Sequence, residues 1–287
     1  MSASAGPSNT IAFQGAPGAY SDLACRTVFP KMRTLPCNDF AETFAVVREG
    51  RARLAMIPVE NSVAGRVADI YHLLPESRLR IIAEHFQRVE HHLLAPGGAT
   101  LKSVRTVMSH VHALGQCRKL IRHLGVKPVV AADTAGAAAE VARRGDTSVA
   151  AIASSLAGRL YKLKSLRANI EDAEHNTTRF LIMARKPIDP SPRQPVITTF
   201  VFRVRNVPAA LYKAMGGFAS NGVNMTKLES YMVGGDFFAT QFYADIEGHP
   251  DDRLVRLALE ELKFFSTKLM ILGVYPSNPF RRHRAKS

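Results

Sequence analysis

Residues 197–205 read ITTFVFRVR, and this run rich in β-branched and aromatic residues predicts a strand that opens a compact module. The patterns after it are, in order, a helix over 210–219, strands over 223–233 and 236–246 on either side of Gly234-Gly235, a helix over 254–262 and a strand over 268–275. Two strands around a Gly-Gly pair indicate a hairpin. The order βαββαβ predicts a ferredoxin-like module over residues 196–276.

A proline-rich segment precedes this module. Residues 186–195, KPIDPSPRQP, contain four prolines, which are incompatible with a helix or a central strand and predict a stiff extended linker. We therefore expect a first domain over 10–185, the linker over 186–195, the second domain over 196–276 and a solvated basic tail over 277–287.

The first domain alternates short apolar runs with helical patterns. Strands are predicted at 10–13, 54–57, 104–108, 129–131 and 149–153, and the longer helices at 111–124 and 134–144. This alternation predicts an α/β domain with largely parallel strands. Loops at the strand ends are where such sheets bind ligands.

Composition limits the class of protein. The chain has 287 residues, of which 46% are hydrophobic, and no apolar run approaches the ~18 residues of a membrane span. Its opening residues, MSASAGPSNT, do not resemble a secretory signal. Cys25, Cys37 and Cys117 are odd in number and widely spaced, which favours a reducing cytoplasm over a disulfide framework.

The charge pattern argues against nucleic acid and metal as partners. The net charge is +14, yet no Lys/Arg block is interleaved with aromatic residues, so we expect no nucleic-acid binding. His110, His112 and Cys117 do not follow a recognised zinc spacing, so we expect no metal.

Four polar motifs stand where strands meet helices or loops. They are GAPGAYS at 15–21, PVENS at 58–62, SHVHALGQC at 109–117 and NTTRF at 176–180. Singly, each has an ordinary structural interpretation: a tight turn, a helix cap at Asn61 or Ser62, a cap at Ser109, and a polar strand entry. Each also offers donors for a small carboxylated molecule.

In this order, ahead of a βαββαβ module, the four motifs resemble prephenate dehydratases, and the similarity spans about residues 10–275. The C-terminal module resembles their ACT domain through NGVNM at 221–225 and LES at 228–230. No chorismate mutase helix bundle precedes the first strand, so the resemblance is to the monofunctional form.

The resemblance implies a fold and a reaction. Two α/β lobes, like those of a periplasmic binding protein, would be built from about 10–75 and 80–170, and the TRF strand would return to the first lobe. The reaction would convert prephenate to phenylpyruvate in phenylalanine biosynthesis, without a cofactor and in the cytoplasm.

The resemblance also implies site residues. Thr178 would donate a hydrogen bond to the departing hydroxyl. The implied substrate-binding residues are Ala16, Pro17, Gly18, Ser21, Asn61, Ser62, Ser109, Gln116, Thr177, Arg179 and Phe180. Arg179 has two interpretations, a carboxylate ligand or a brace of the cleft.

Feedback inhibition by L-phenylalanine is implied through the ACT domain, at a site between subunits of a homodimer or homotetramer. The implied effector residues are Ala209, Ala210, Leu211, Asn221, Gly222, Val223, Asn224, Met225, Glu229 and Ser230. Ala209 replaces the family's glycine, so its methyl group would obstruct the effector or force a different φ, and binding should be weaker.

Two rival functions remain open. An arogenate dehydratase would perform the same chemistry on an aminated substrate. A non-catalytic regulator built from bilobal and ACT modules would bind an amino acid without turning it over.

Overall fold

The computed structural model describes residues 9–233 and 241–281. Its first eight elements, in chain order, are β1 (Thr10–Gln14), α1 (Tyr20–Val28), β2 (Arg33–Cys37), α2 (Phe40–Arg48), β3 (Leu54–Asn61), β4 (Gly65–Arg66), α3 (Ile70–Glu76) and β5 (Arg80–Arg88). Next come β6 (His92–Ala95), β7 (Thr106–Ser109), α4 (Val111–Gln116), α5 (Arg118–Leu124), β8 (Lys127–Val130), α6 (Thr134–Arg144), β9 (Val149–Ala153), α7 (Ser155–Leu160) and β10 (Lys164–Arg167). The last are β11 (Thr177–Ala184), β12 (Val196–Val204), α8 (Ala210–Ser220), β13 (Met225–Tyr231), β14 (Gln241–Glu247), α9 (Arg253–Phe265), β15 (Ser266–Pro276) and a 3-10 helix (Pro279–Arg281).

Three sheets organise these strands. The first has the order β2-β1-β3-β11-β5 with β4 beside β3, the second β10-β6-β9-β7-β8, and the third β13-β14-β12-β15. β1 pairs in parallel with β2 and β3, and β7 with β8 and β9. The first two sheets are the two lobes of the expected bilobal fold, and β11 returns to the first, as predicted.

Two details differ from the sequence prediction. β5 belongs to the first sheet, so the second lobe begins at β6 and not near residue 80. The predicted helix over 111–124 is two helices that meet at Cys117, because the carboxylate of Asp172 accepts the backbone N–H groups of Arg118 and Lys119 and caps α5 separately.

The chain divides into two compact units. One holds the residues up to Val67 together with His85–Phe180, and the other holds Ala68–Glu84 together with the residues from Leu181 onward. That residues 10–185 and 196–276 are separate domains, joined by a linker over 186–195, stays a prediction. Residues between β11 and β12 form neither helix nor strand, as the four prolines predict.

Buried apolar strands form the core of the second sheet. β9, VAAIA, is buried at every position and pairs on both sides, with β6 and with β7. Helices cover both faces of this sheet, so its central strand reads as a continuous apolar run. Within the part of the chain that the structure describes, no helix is long and apolar enough to cross a membrane.

The third sheet is the ferredoxin-like module, and α8 and α9 pack on one of its faces. The turn of the predicted hairpin, Gly234-Gly235, lies outside the described residues. The opposite face carries Tyr243, whose ring meets Tyr71 of α3 edge-on at 5.2 Å. α3 of the same chain therefore packs against part of this face.

The start of the predicted solvated tail is anchored. The Arg281 guanidinium donates to both carboxylate oxygens of Glu84, at 2.6 and 2.8 Å, and lies 3.7 Å from the carboxylate of Asp245. Glu84 and Asp245 are fully buried, so Arg281 balances charge inside the unit and is not part of a solvated tail.

Candidate active site

The turn over residues 15–21 joins β1 to α1, and its backbone donors are largely used. The N–H groups of Gly15 and Ala19 donate to carbonyl oxygens at 2.9 and 3.0 Å, and that of Gly18 donates to the Asp22 carboxylate at 2.9 Å. These three N–H groups are therefore not free to hold an anion, in contrast to one interpretation of the motif.

The same turn contacts the second lobe. The Ser154 hydroxyl donates to the Gly18 carbonyl at 2.6 Å, and the Tyr161 hydroxyl donates to the Pro17 carbonyl at 2.8 Å. Gly18 has φ of +91°, and a Cβ there would lie 2.8 Å from the Cα of Ala157. Only glycine fits this close approach, so the motif joins the lobes.

Asn61, at the end of β3, makes four hydrogen bonds. Its Oδ1 accepts the N–H groups of Val63 and Ala64, at 2.9 and 2.8 Å. Its Nδ2 donates to Asn176 Oδ1 at 2.8 Å and to Thr178 Oγ1 at 3.0 Å. With both donors and both lone pairs engaged, Asn61 positions Thr178 and has no donor left for a ligand.

Ser62 is likewise committed to the scaffold. Its hydroxyl donates to the His175 carbonyl at 2.6 Å and accepts the Thr177 N–H at 3.0 Å. A serine hydroxyl has one proton, so Ser62 holds the segment leading into β11. Asn61 and Ser62 of PVENS are thus brought to the predicted site, where they support it.

A polar network reaches the second lobe through Asn176 and consists of Asn61, Thr178, Asn176, Gln116, His91 and Tyr20. Asn176 Nδ2 donates to Gln116 Oε1 at 2.9 Å, and the same oxygen lies 2.9 Å from His91 Nε2. His91 Nδ1 lies 2.9 Å from the Tyr20 hydroxyl, which also lies 2.8 Å from the Glu90 carbonyl. These hydrogen bonds thus connect Thr178 in one lobe with Gln116 in the other.

This network lies where the chain crosses between the lobes. Val89 N–H donates to the Asn176 carbonyl at 2.9 Å, and Ile170 N–H donates to the His91 carbonyl at 3.1 Å. The two crossing segments run side by side, so motion of one lobe against the other would act on these residues first.

Burial sets the protonation states in the network. Loss of solvation lowers the pKa of His91, although its hydrogen bond with Gln116 and the charge of Glu171 act in the opposite direction. Burial also raises the pKa of Tyr20 well above its usual value. At neutral pH, His91 is therefore uncharged and Tyr20 keeps its phenolic proton.

Arg179 and Phe180 occupy different surroundings. Arg179 donates to the Glu60 carboxylate at 3.0 Å, and its side chain is 3% exposed. Neighbouring strand residues point to opposite faces, so Arg179 lies on the other side of β11 from Thr178. Of the two interpretations left open, this geometry favours the brace. Phe180 is buried in the core.

Ser109 does not cap α4, contrary to one of its two interpretations. The cap is His110, whose ring Nδ1 accepts the His112 N–H at 3.3 Å. Ser109 is fully buried at the end of β7, and its hydroxyl donates to the Ile152 carbonyl at 2.6 Å. Its predicted contact with substrate stays a prediction.

Seven of the ten predicted effector residues lie at the two ends of α8, and the other three, Met225, Glu229 and Ser230, lie on β13. Ala209 to Leu211 begin this eleven-residue helix and Asn221 to Asn224 follow it, so at 1.5 Å per residue they are about 16 Å apart. Ala209 has φ of 61°, the left-handed conformation that glycine favours. The methyl group therefore does not force a different φ. Asn224 Nδ2 donates to Glu247 at 3.0 Å, and Glu229 pairs with Lys227 at 3.2 Å.

Three residues of the network were absent from the predicted site: Asn176, His91 and Tyr20. Asn176 opens the NTTRF motif, and its position beside Thr177 was the one available signal. Tyr20 lies in the GAPGAYS motif, which was its one signal, whereas nothing in the sequence links His91 to any of the four motifs.

Comparison with known proteins agrees with this architecture. A family model described as "Prephenate dehydratase" matches residues 11–188. The chain is 57% identical over 273 residues to "Bifunctional N-acyl-homoserine lactone acylase/prephenate dehydratase" of Komagataeibacter europaeus, covering 95% of this chain and 97% of that protein. It is 38% identical over 285 residues to "Arogenate dehydratase/prephenate dehydratase 1, chloroplastic" of Arabidopsis thaliana, covering 94% and 73%.

A solved structure gives the same result. The prephenate dehydratase of Arthrobacter aurescens in complex with L-Phe has a TM-score of 0.86 to this chain, at 29% identity, covering 93% of this chain and 90% of that one.

Proposed function

Since this chain belongs to the prephenate dehydratase family, a family of hydro-lyases, we propose that it converts prephenate to phenylpyruvate in phenylalanine biosynthesis. The observation that carries the proposal is the hydrogen bond from Asn61 Nδ2 to Thr178 Oγ1. A hydroxyl oxygen that accepts a hydrogen bond directs its own proton elsewhere, here toward a ligand between the lobes.

The reaction needs little acid–base chemistry. The bond between the ring and one carboxylate breaks, carbon dioxide leaves, and the electron pair enters the ring. The bond from the opposite ring carbon to oxygen breaks, and the departing hydroxide takes a proton to become water. Aromatisation drives both steps, so the protein chiefly orients the substrate and assists the leaving group.

Thr178 serves the leaving group in this proposal. Its hydroxyl donates to the departing oxygen, while Asn61 stabilises the charge that builds on Oγ1. Threonine is a weak acid, so the proton that completes water comes ultimately from solvent, and Thr178 acts through hydrogen-bond donation.

Fewer residues are assigned to direct contact with substrate than the sequence predicted. Gln116 remains the best-placed donor for a carboxylate, because its side chain joins the network only through Oε1. Asn61, Ser62 and Arg179 support the site through the contacts described above. The turn at 15–21 together with Ser109, Thr177 and Phe180 would shape the cleft.

Inhibition by L-phenylalanine is the proposed regulation. The relative from Arthrobacter aurescens is described with L-Phe bound. The two halves of the expected effector site lie about 16 Å apart in one chain, more than one phenylalanine can span. A complete site therefore needs one end of α8 from each of two copies. β13 is one of the two edge strands of the third sheet and carries three of the expected effector residues, so it is the edge on which two copies would pair.

The experiment that tests the function compares two substrates. Initial rates with prephenate and with arogenate are measured side by side, following phenylpyruvate and phenylalanine as the products. A higher kcat/KM for prephenate supports the proposal. A higher value for arogenate would favour the arogenate dehydratase, and no turnover of either would leave the amino-acid-binding regulator.

A second activity is a candidate because of one relative. The protein from Komagataeibacter europaeus, 57% identical over nearly its whole length, is named as an N-acyl-homoserine lactone acylase as well. We propose to test this separately, by incubating the protein with an N-acyl-homoserine lactone and detecting the released fatty acid. The Thr178→Ala variant would reveal whether the two activities share a residue.

A further inference from the structure

The orientation of each side-chain amide in the network can be worked out from one end. Two backbone N–H groups, of Val63 and Ala64, point at one atom of the Asn61 amide, which must therefore be the oxygen. The other atom, Nδ2, is a donor, so the Asn176 atom that it meets at 2.8 Å must be Oδ1. Asn176 is 1% exposed, and its Nδ2 then points at Gln116.

The same logic fixes Gln116 and the ring of His91. The Gln116 atom facing Asn176 Nδ2 must be the acceptor Oε1. His91 Nε2 lies 2.9 Å from that oxygen, so Nε2 carries a proton. A neutral imidazole then has a bare Nδ1, and the single proton of the Tyr20 hydroxyl is shared between this nitrogen at 2.9 Å and the Glu90 carbonyl at 2.8 Å.

The Gln116 amide is thereby held with its nitrogen outward. Its oxygen accepts two hydrogen bonds from buried partners. Among the described residues no partner contacts Gln116 Nε2, and this atom is not one of the buried polar atoms without a partner. The Nε2 group therefore faces solvent with two protons to donate.

We propose that His91 is a positioning residue that, together with Asn176, holds the polarity of Gln116, so that this amide presents N–H donors rather than its carbonyl to a substrate carboxylate. The proposal rests on the proposed function for the identity of that substrate. Loss of the ring donor removes one of the two hydrogen bonds that hold the Gln116 oxygen inward and leaves only the bond from Asn176. The amide is then less firmly held, and rotation by 180° would turn its carbonyl oxygen toward the carboxylate, which repels it.

Variants at His91 separate this role from a merely structural one. His91→Leu removes the ring donor, and we expect KM for prephenate to rise at least about tenfold with a smaller change in kcat, because Thr178 is untouched. His91→Gln keeps an N–H donor at similar reach and should restore most of the affinity. His92→Leu is the matched control: its ring Nδ1 pairs with Ser165 Oγ at 3.0 Å, outside the network, and its kinetics should match wild type.

A double-variant cycle tests whether His91 acts through Gln116. Gln116→Leu should raise KM about as much as His91→Leu, and the double variant should be no worse than Gln116→Leu alone. Additive losses would overturn the proposal. Equal KM values for His91→Leu and wild type would overturn it too.

A spectroscopic measurement identifies which nitrogen of His91 carries the proton and does not depend on an activity assay. In nitrogen-15 NMR of the ligand-free protein, His91 should carry its proton on Nε2 and leave Nδ1 bare. A proton on Nδ1 alone would overturn the proposal even if His91→Leu misfolds. A further outcome is that wild type fails to turn over prephenate and still carries the proton on Nε2 of His91. In that case the proposed function is wrong, and so is the assignment of a prephenate carboxylate as the ligand of Gln116, while the orientation of the Gln116 amide stands.

Discussion

Removing the Thr178 hydroxyl should stop the chemistry while leaving the fold intact. Thr178 is half-buried on β11, and its oxygen accepts one hydrogen bond, from Asn61. Losing that bond in Thr178→Ala costs on the order of 1 kcal/mol of unfolding free energy. A domain is typically stable by about 5–15 kcal/mol, so the variant should remain folded.

The catalytic loss is larger. One positioned donor to a developing charge contributes about 2.7–4 kcal/mol, which corresponds to a fall in kcat of about 100- to 1,000-fold. KM should change little, because the bond to the departing oxygen strengthens only in the transition state. Thr178→Ser retains the hydroxyl and should keep more activity than Thr178→Ala.

The assay is the initial rate of phenylpyruvate formation over a range of prephenate concentrations, with urea unfolding of each variant beside it. Thr106→Ala is the matched control, since Thr106 is a half-buried strand threonine in the second sheet. Thr178 does not donate to the leaving group if the Ala and Ser variants have the same kcat, or if the whole loss appears in KM.

Three further predictions concern Asn61, Ala209 and His91. Asn61→Leu should lower kcat by about tenfold or more through misplacement of Thr178. The Val63 and Ala64 N–H groups are exposed and can bind water, so the loss in unfolding free energy should be about 0.5–1.5 kcal/mol for each hydrogen bond removed; one kinetic and urea series measures both effects. Ala209→Gly should raise unfolding free energy by about 1 kcal/mol, because glycine adopts φ of 61° without strain, and calorimetry should find L-phenylalanine binding tighter; unchanged stability would contradict the strain. Since burial lowers the pKa of His91, the unfolded chain holds more protons between that pKa and about 6.5, so unfolding free energy should be highest above pH 6.5 and fall on acidification; urea titrations should find a shallower fall in His91→Gln.

Fold class was accessible from sequence because its signals are local. The apolar run of β9 and the helical pattern that became α6 (Thr134–Arg144) each predicted their own element. The break at Cys117 was not accessible, because the carboxylate that caps α5 comes from Asp172, far along the chain. The same limit applies to the lobe boundary, since β5 joins the first sheet through tertiary pairing.

Site prediction was limited in the same way. Motifs brought Asn61, Gln116 and Thr178 to one place, but sequence alone does not reveal which donors are already used. Asn61 was expected to contact substrate, and the structure engages all four of its hydrogen-bonding positions within the protein. His91 entered the site only through a contact 25 residues away in sequence.

Dehydratase activity is measured directly as turnover of prephenate by purified wild-type protein at neutral pH, with phenylpyruvate detected by its ultraviolet absorbance. Thr178→Ala protein at the same concentration serves as the internal reference. Wild type should form phenylpyruvate far above the slow acid-catalysed background, and the variant should be at least about 100-fold slower than wild type. Wild-type formation no faster than the background would contradict the proposed function.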